Sequence, residues 1–437
     1  MKKALLVLFS LMLVAVLAAC GPDREEDTNN GNDNAATENE GTNEGNNEAT
    51  SDMPEKPESL TIWMNDEEDQ IEAIEASASR FTEETGIEVN VEGVTMLDQV
   101  EKLDLDGPSG NGPDIFFQPH DRIGDLVIRG LAEVVDLGDS AGDYTDTAIQ
   151  AVTYEGDTWG VPAVVETYTL YYNKDIIGDQ VPTTMEELET IMKDYTNTAN
   201  DEYGMLAEAN NFYFMYPYFA GYGGYVFAND NGTYDPSDIG LNNEGAAKGG
   251  ELIQSWFTNG YMPKEITADI LNGLFKDGKV ATVINGPWMM GEYKEALGDS
   301  LGAVALPLLE NGEHPKSFVG VKTFMLSYYS ENKEWATELM KYLTNTEEAI
   351  NYFTTAGELP ARNDSLEDPA ITGDPIVAAF LEQASYGEPM PGIPQMQQVW
   401  DPANAALQFI ANGDDPKEVL DEAVQIIQDN IAAASGQ

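Results

Sequence analysis

The sequence predicts an α/β fold, because short apolar segments of strand character alternate with segments of helical periodicity. Residues 59–64 and 87–91 have the composition or alternation of strands. Residues 71–81 between them carry their apolar side chains on one helical stripe, which ends at Gly86. A further helical segment precedes a third predicted strand over residues 114–117. This order of strands and helices predicts a mainly parallel sheet.

The third strand ends at a polar turn. The apolar residues 115–117 indicate a buried strand, and helical spacing of apolar residues resumes at Ile123. Between them, close to Pro119, lie four side chains that can form hydrogen bonds: Gln118, His120, Asp121 and Arg122. Ligands of α/β proteins bind beyond the carboxyl ends of the strands. This turn is therefore a candidate edge of a binding site.

The middle of the chain continues the pattern. Strands are predicted over residues 159–165 and from residue 166 into a turn at residue 175. A helix begins after Thr183 or Thr184, because Glu186 or Glu187 can complete a capping box. Residues 211–225 are densely aromatic and interrupted by glycines.

The last third predicts two more strands and then helices. Residues 279–284 form a strand that ends at Asn285-Gly286-Pro287-Trp288, and residues 317–321 form a short strand. Helical periodicity dominates from Lys333 onward and includes residues 419–426. We find no internal repeat and no second membrane-spanning segment in the sequence.

Length and charge bound the class of protein. The chain has 437 residues, 42% of them apolar, which is enough for two domains with cores of their own. Its formal net charge is −57, which argues against binding to nucleic acid or directly to anionic lipid. We interpret the acidic balance as surface solvation, suited to a salty or alkaline exterior.

The N-terminus predicts export and anchoring. Lys2 and Lys3 precede an apolar segment, residues 4–19, that is too short for a membrane span of about 20 residues. It ends at Cys20, as in a bacterial lipoprotein signal, in which this cysteine is lipidated; an ordinary secretory signal is the alternative. Cys20 is the only cysteine, so no intramolecular disulfide can form. Residues 21–57 are acidic and almost free of large apolar residues, which predicts a disordered tether.

Several segments together resemble the maltose/maltodextrin-binding proteins of ABC sugar importers, members of extracellular solute-binding protein family 1. The resemblance extends over most of residues 58–430. Its motifs, in order, are residues 115–117 with His120-Asp121-Arg122, Val165-Glu166 with residues 170–175, residues 284–288, residues 318–321, and residues 391–396 with Trp400. No single motif identifies the family, but the motifs occur in the same order as in the family, and together they make the resemblance specific.

The resemblance implies a type II periplasmic-binding-protein-like fold with two hinged lobes and a sugar cleft between them. The N-terminal lobe would comprise residues 58–165 and 322–370, and the C-terminal lobe residues 166–318 and 376–437. Residues 1–20 would be the lipoprotein signal peptide and residues 21–57 the tether. Sugar would close the cleft by hinge motion. The resemblance implies a monomer with no catalysis and no cofactor. The lipoprotein signal predicts that it is anchored at the outer face of the cell membrane, and a lipid-anchored form suggests a cell without an outer membrane.

The resemblance also implies ligand-contacting residues. They fall on Asp121, Arg122, Glu166, Tyr213, Phe214, Trp288 and Trp400. Asp121 and Glu166 would accept hydrogen bonds from sugar hydroxyls, and Arg122 would donate and hold Asp121. The aromatic rings of Tyr213, Trp288 and Trp400 would stack on the apolar faces of sugar rings. The alternatives are core packing of the aromatics, a structural ion pair between Asp121 and Arg122, and a surface charge at Glu166.

Three departures leave the form of the ligand open. Gln118 stands where enteric-type relatives have a tryptophan, so one stacking surface is lost or supplied elsewhere. Glu67 and Glu68 replace an Asp-Lys pair after the first strand, so Glu67 could still accept hydroxyl protons but the lysine donor is absent. Asn211 and Phe212 replace the usual Glu-Pro before the aromatic pair. Linear maltodextrin, cyclodextrin or another oligosaccharide therefore all remain candidates for delivery to the permease.

Two other classes of protein compete with a transport binding protein. Asp121 and Glu166 could be the carboxylate pair of a cell-surface glycoside hydrolase, whose separation the sequence does not give. A surface adhesin would also carry an anchor, but it leaves the cleft residues unexplained. His120 and His314 are the only histidines and Cys20 the only thiol, which argues against a His/Cys metal site or a Cys–His dyad.

Overall fold

The computed structural model describes residues 53–230 and 233–434. The predicted signal segment, Cys20 and residues 21–52 of the predicted tether lie outside the described residues. The last residues of that tether, 53–57, pack against the folded part. The Trp335 indole N–H donates to the Pro54 carbonyl at 3.1 Å, and Lys56 Nζ donates to the Thr85 carbonyl at 2.8 Å.

The described strands are short except for one ten-residue strand. In chain order they are β1 (Ser59–Met64), β2 (Glu88–Gly93), β3 (Ile115–Pro119), β4 (Ala132–Glu133), β5 (Thr153–Tyr154), β6 (Asp157–Thr158), β7 (Val161–Glu166), β8 (Thr169–Asn173), β9 (Tyr203–Leu206), β10 (Ala228–Asp230), β11 (Thr233–Asp235), β12 (Val280–Asn285), β13 (Leu301–Val304), β14 (Phe318–Ser327), β15 (Leu359–Pro360) and β16 (Glu388–Pro389).

Helices occupy most of the remaining described chain and become dense after residue 333. In chain order they are α1 (Glu68–Thr85), α2 (Gln99–Asp106), α3 (Ile123–Arg129), α4 (Asp146–Ala151), α5 (Lys174–Ile177), α6 (Met185–Tyr195), α7 (Phe212–Gly221), α8 (Glu244–Thr258), α9 (Ala268–Lys276), α10 (Met290–Leu297), α11 (Lys333–Leu343), α12 (Thr346–Ala356), α13 (Pro369–Thr372), α14 (Pro375–Tyr386), α15 (Trp400–Asn412) and α16 (Pro416–Ala434).

Local signals in the sequence set several of these boundaries. Helix α1 ends where Gly86 adopts a left-handed conformation with φ of 79°, which a residue without Cβ takes at little cost. Helix α6 begins with the predicted capping box: Thr184 accepts from the Glu187 N–H, and the Glu187 carboxylate accepts from the Thr184 N–H. Both predictions are confirmed.

The larger sheet is mixed, so the prediction of a mainly parallel sheet is wrong beyond its first strands. Its order is β15-β7-β14-β3-β1-β2, with β4 and β16 also pairing with β14. Strand β1 is parallel to β2 and β3, whereas β14 is antiparallel to both β3 and β7. Strand β14 starts at the edge where β3 ends, because the chain returns there from the second sheet, and it must therefore run the opposite way. It is also longer than the predicted segment 317–321.

The second sheet is smaller and has the order β13-β8-β12-β9. Strand β8 follows β7 after two residues, so the chain passes directly from one sheet to the other between Glu166 and Thr169. Each sheet lies in a hydrophobic core of its own. We call the part around the larger sheet, with Ile62, Phe116 and Phe324 in its core, the first lobe. The second lobe surrounds the smaller sheet, with Tyr171 and Ile284 in its core.

The described chain is thus a two-lobe α/β protein, and the residue boundaries proposed for the lobes from the sequence stay a prediction. Among the helices in residues 53–230 and 233–434, none has the length and apolar character needed to cross a membrane.

Candidate functional site

A cavity of about 510 Å³ lies between the two lobes, and it is lined from both. All the residues predicted to contact ligand line it except Gln118. The first lobe contributes Glu67, Asp121, Arg122 and Glu166; the second lobe contributes Tyr213, Phe214, Trp288 and Trp400. The structure therefore brings together residues that are separated by more than 300 positions in the chain.

The turn after β3 places Asp121 and Arg122 at the cavity. Residues His120–Arg122 form one turn of 3-10 helix directly beyond the strand, as the apolar segment followed by Pro119 predicts. His120 anchors this turn: its Nδ1 accepts from the Val321 N–H at 3.0 Å, so its Nε2 donates to the Met390 carbonyl at 3.1 Å. Burial lowers the pKa of His120, which keeps this neutral tautomer.

Asp121 is held by groups other than the one predicted. Its Oδ2 accepts from the Trp400 indole N–H and from Gln397 Nε2, both at 3.3 Å. Among the described residues no hydrogen bond or ion pair joins Arg122 to Asp121, so both the predicted role of Arg122 in holding Asp121 and the alternative of a structural ion pair are wrong. Arg122 Nε is buried without a hydrogen-bond partner in the described part of the chain.

Glu166 lies at the end of β7 and is 6% exposed, so the alternative of a surface charge is wrong. Its Oε2 forms an ion pair with Lys322 Nζ at 2.8 Å. Lys322 also donates to Glu358, whose second carboxylate oxygen accepts from the Tyr352 hydroxyl at 2.8 Å. One ammonium group thus serves two buried carboxylates.

Burial dominates the electrostatics of this cluster. It raises the pKa of Glu166, and the positive charge of Lys322 opposes that rise. For Lys322 burial acts downward, but the two carboxylates outweigh it and raise the pKa, so the lysine is charged. Burial also raises the pKa of Glu67, assisted by the neighbouring charges of Asp66 and Glu292.

The second lobe presents aromatic rings to the cavity. Asn211 caps α7 by accepting from the Tyr213 N–H at 3.1 Å, which sets Tyr213 and Phe214 in the first turn. Trp288 lies in a 3-10 turn just beyond β12, and Trp400 is the first residue of α15, as the turn and helix-start positions predict. The rings of Phe214 and Trp288 have centroids 6.4 Å apart.

Trp400 and Tyr213 also pack against core rings, so the core-packing alternative holds for part of their surface. The Trp400 ring contacts Phe212 and Phe318, each at 6.1 Å between centroids, and Tyr213 lies 4.8 Å from Tyr168. Both side chains are nevertheless partly exposed and line the cavity. The Tyr213 hydroxyl is buried without a hydrogen-bond partner among the described residues.

Gln118 does not line the cavity. Its side chain is fully buried, and its Nε2 donates to the Met96 carbonyl and, at 3.3 Å, to Gln99 Oε1. The side chain lies inside the first lobe and supports the segment that carries Met96, which does line the cavity. We therefore do not include Gln118 among the candidate ligand contacts.

Sequence reasoning missed Lys322 and the amides around the cavity. Lys322 lies in an apolar strand, and no local pattern distinguishes a lysine that faces a cavity from one at a sheet edge. Asn404 lines the cavity and accepts a hydrogen bond from the Phe212 N–H at 2.7 Å. The two residues are 192 positions apart, so no local sequence pattern predicts their contact. Asn211 was noted only as a departure from relatives, although its position before an aromatic helix is typical of an N-cap.

The site combines flat aromatic surfaces with buried charged groups that have spare hydrogen-bonding capacity. In residues 53–230 and 233–434 no group of three His, Cys, Asp or Glu residues could hold a metal ion. Two buried atoms without a hydrogen-bond partner among the described residues, Arg122 Nε and Tyr213 Oη, belong to residues that line the cavity. Such atoms are costly to leave unpaired, so the site suits a ligand rich in hydroxyl groups.

Comparison with known proteins gives similarities along most of the chain. A family model described as bacterial extracellular solute-binding protein matches residues 76–379. A galactooligosaccharide-binding protein of Bacillus subtilis (strain 168) is 37% identical over 388 residues, which cover 86% of this chain and 90% of that protein. A maltooligosaccharide ABC transporter solute-binding lipoprotein of Streptococcus pneumoniae is 32% identical and covers 83% and 87%, respectively.

Among solved structures, a cyclo/maltodextrin-binding protein in complex with maltotetraose is similar to this chain. The two share 43% sequence identity, and their TM-score is 0.76 over 86% of this chain and 98% of that one. The likeness therefore extends over both lobes.

Proposed function

Because the chain belongs to the bacterial extracellular solute-binding protein family, we propose that it binds a maltodextrin in the cavity between its lobes and delivers it to an ABC importer. The observation that carries the proposal is the composition of the cavity. Aromatic rings come from the second lobe, cations come from the first, and carboxylates come from both. The relatives with sugar in their names and the complex with maltotetraose support the class of ligand.

The proposed binding divides the sugar between the lobes. The apolar faces of glucosyl rings stack on Trp288, Trp400 and Tyr213. Hydroxyl groups on the rim donate to Asp121 and Glu166 and accept from Arg122, which relieves the unpartnered Nε atom. A ligand that touches both lobes binds the closed arrangement better than an open one, so it shifts the equilibrium toward closure.

Delivery needs the protein to remain near the importer. We propose that Cys20 carries a lipid anchor at the outer face of the cell membrane and that the importer permease contacts the closed form. A lipoprotein of this kind suggests a cell without an outer membrane. We also propose that the protein has no hydrolytic activity: Asp121 is occupied by Trp400 and Gln397, and Glu166 is paired with Lys322, so neither is arranged as a general acid.

Calorimetric titration of the purified protein tests the proposal. Maltotriose, maltoheptaose, β-cyclodextrin, cellotriose and a galactotriose are titrated in parallel, and reducing sugar is assayed after long incubation. We expect saturable one-to-one binding of the α-glucans, no heat from cellotriose and no release of reducing sugar. Absence of binding by all the α-glucans would overturn the assignment of ligand, and release of reducing sugar would overturn the assignment as a binder.

The titration with galactotriose tests a second candidate ligand. The galactooligosaccharide-binding relative is 37% identical to this chain, against 43% for the cyclo/maltodextrin-binding protein, so a galactose-based ligand is the specific alternative. Tight binding of galactotriose together with no binding of the α-glucans would show that the ligand is galactose-based. Ranking of maltoheptaose against β-cyclodextrin would separate linear from cyclic ligands.

A further inference from the structure

Lys322 occupies an unusual position in this acidic chain. It lies in the middle of β14, a strand buried along its whole length, and it is 5% exposed. Its ammonium group contacts the carboxylates of Glu166 and Glu358. Burial of two carboxylates around one lysine is costly, and stability alone would be served as well by apolar side chains of similar volume. The cluster therefore calls for an explanation in terms of the site.

The strand register explains why these three groups meet. Strand β14 pairs antiparallel with β7, with Gly320 opposite Glu166 and Lys322 opposite Val164, so Lys322 and Glu166 are diagonal neighbours on one face. Strand β15 flanks β7 on the other side with Leu359 opposite Val165. Continuing that register by one residue places Glu358 opposite Glu166.

Gly320 leaves the room that the Glu166 side chain needs. A Cβ atom added at Gly320 would lie 2.9 Å from Glu166 Cγ and 3.1 Å from its Oε1. The glutamate thus lies over a glycine, with its carboxylate against Lys322 on one side and the cavity on the other. The backbone of β14 and the ammonium group of Lys322 in the same strand together fix the position of the Glu166 carboxylate.

The two carboxylates differ in what remains free. Glu358 is 0% exposed, and its oxygens are used by Lys322 and by the Tyr352 hydroxyl. Glu166 lines the cavity, and Lys322, which contacts its Oε2, is its only ion-pair partner among the described residues. Glu358 therefore holds the lysine, and the lysine holds Glu166 for a ligand.

The same ammonium group faces the second lobe. Lys322 Nζ is 5.0 Å from the centroid of the Trp288 ring, within the range of a cation–π interaction. Trp288 follows β12 of the second sheet, whereas Lys322 belongs to the first. The Lys322 ammonium group thus contacts the Glu166 carboxylate in the first lobe and the Trp288 ring in the second.

We propose that Lys322 is a positioning residue of the binding site, which holds the Glu166 carboxylate as a hydroxyl acceptor facing the cavity and supports the Trp288 ring across it. The proposal rests on the proposed function only in that the ligand carries hydroxyl groups. Lys322 acts through Glu166, because a buried carboxylate without a neighbouring cation takes up a proton and loses its strength as an acceptor.

The test is the pH dependence of sugar affinity. A neutral sugar does not titrate, so a loss of affinity on the acid side reports groups of the protein. The charged or titratable groups that face Glu166 are Lys322, Glu358, Asp121, Tyr213 and Tyr352. If binding needs ionised Glu166, affinity falls as the pH drops through the pKa of that residue. Removal of Lys322 raises that pKa further and moves the loss to higher pH.

The primary variant is Lys322→Met/Glu358→Gln, which removes the cation together with its structural counter-charge. Tyr352 can still donate to the new amide. We expect a loss of affinity of about tenfold at neutral pH, the range of a charged hydrogen bond. The midpoint of the acid-side loss should rise by about one pH unit. Lys248→Met, which removes an exposed lysine of α8, is the matched control and should change neither quantity.

Glu358→Gln keeps the test decisive if the double variant unfolds, and a Glu166→Gln background provides a further control. Glu358→Gln alone removes the competing carboxylate, so Lys322 acts on Glu166 undivided, and the midpoint should move to lower pH. In a Glu166→Gln background, Lys322→Met/Glu358→Gln should no longer shift the midpoint. Thermal unfolding of each variant shows that the protein is folded.

Two results would overturn the role of Lys322. The first is a double variant that loses affinity equally at all pH values, and the second is a midpoint shift that persists in the Glu166→Gln background. If the unaltered protein binds none of the sugars, the proposed function fails instead, so the two failures are distinguishable.

Discussion

Trp288 and Trp400 illustrate how one residue type serves the site in two ways. Trp288 has one contact with a charge, Lys322, and one tilted contact with Phe214. Trp400 donates to Asp121 and packs edge-on against Phe212 and Phe318. Both rings also pack against the core of the second lobe, and Trp400 in addition orients a carboxylate.

We predict that Trp288→Ala and Trp400→Ala each weaken sugar binding by roughly 1 kcal/mol or more, because each removes a stacking face from the cavity. Both variants should also cost stability, since both rings pack against the core, and Trp400→Ala should cost more because its ring contacts both Phe212 and Phe318. Calorimetric titration and thermal unfolding check both quantities. Trp159→Ala, remote from the lining residues, controls for general loss of aromatic packing; wild-type affinity in both site variants would contradict the prediction.

At the scale of elements, the site is assembled from element ends. Glu67 precedes α1, Asp121 and Arg122 follow β3, Glu166 ends β7, Trp288 follows β12 and Trp400 begins α15. Local sequence predicts such ends well, because capping residues, prolines and glycines interrupt apolar periodicity there. Lys322 is the exception, since it lies within a strand.

Helix α6 offers a test of a local signal that is separate from the site. We predict that Thr184→Ala lowers the free energy of unfolding by about 1 kcal/mol, because the mutation leaves the Glu187 N–H without its capping acceptor. Chemical denaturation measures this change. Thr190→Ala, an exposed substitution in the same helix, should be nearly neutral. Sugar affinity should stay the same in both variants, and equal destabilisation by both would contradict the capping role.

At the scale of the whole molecule, like charges from the two lobes approach each other where the start of α1 lies near α10. The first turn of α1 carries Glu68 and Asp69, and a Cβ atom added at Gly291 in α10 would lie 3.4 Å from Asp69 Oδ2. Burial raises the pKa of Asp69, and the charges of Glu292, Glu72, Glu68 and Glu295 raise it further. The chain as a whole carries a net charge of −57.

We predict that affinity for a neutral sugar rises with ionic strength, because salt screens this repulsion and favours the closed arrangement. The Debye length is about 8 Å at physiological ionic strength and shorter at higher salt, so the effect should continue above 0.15 M. Titrations from low to high NaCl measure it, and a change of about two- to fivefold is expected for exposed charges.

Asp69→Asn should raise affinity at low salt and flatten its salt dependence. Glu83→Gln, an exposed charge removal about 20 Å away along the same helix, should leave both unchanged. A salt-independent affinity in the unaltered protein would contradict the prediction.

Composition, periodicity and turn residues alone determined the α/β class, the helix caps at Thr184 and Gly86, and the turn at His120–Arg122. These features depend on interactions between residues close in the chain, so their signals are local. The resemblance to a family predicted the aromatic and acidic ligand contacts at later positions. The structure places all the predicted ligand contacts around one cavity except Gln118.

Only the tertiary structure decided the direction of β14, the burial of Gln118, the partners of Asp121 and the place of Lys322. Each depends on pairing between segments far apart in sequence: Lys322 meets Glu166 because β14 returns from the second lobe and inserts between β3 and β7. Apolar periodicity records which face of a strand is buried, but it contains no information on which strand lies beside it or in which direction that neighbour runs.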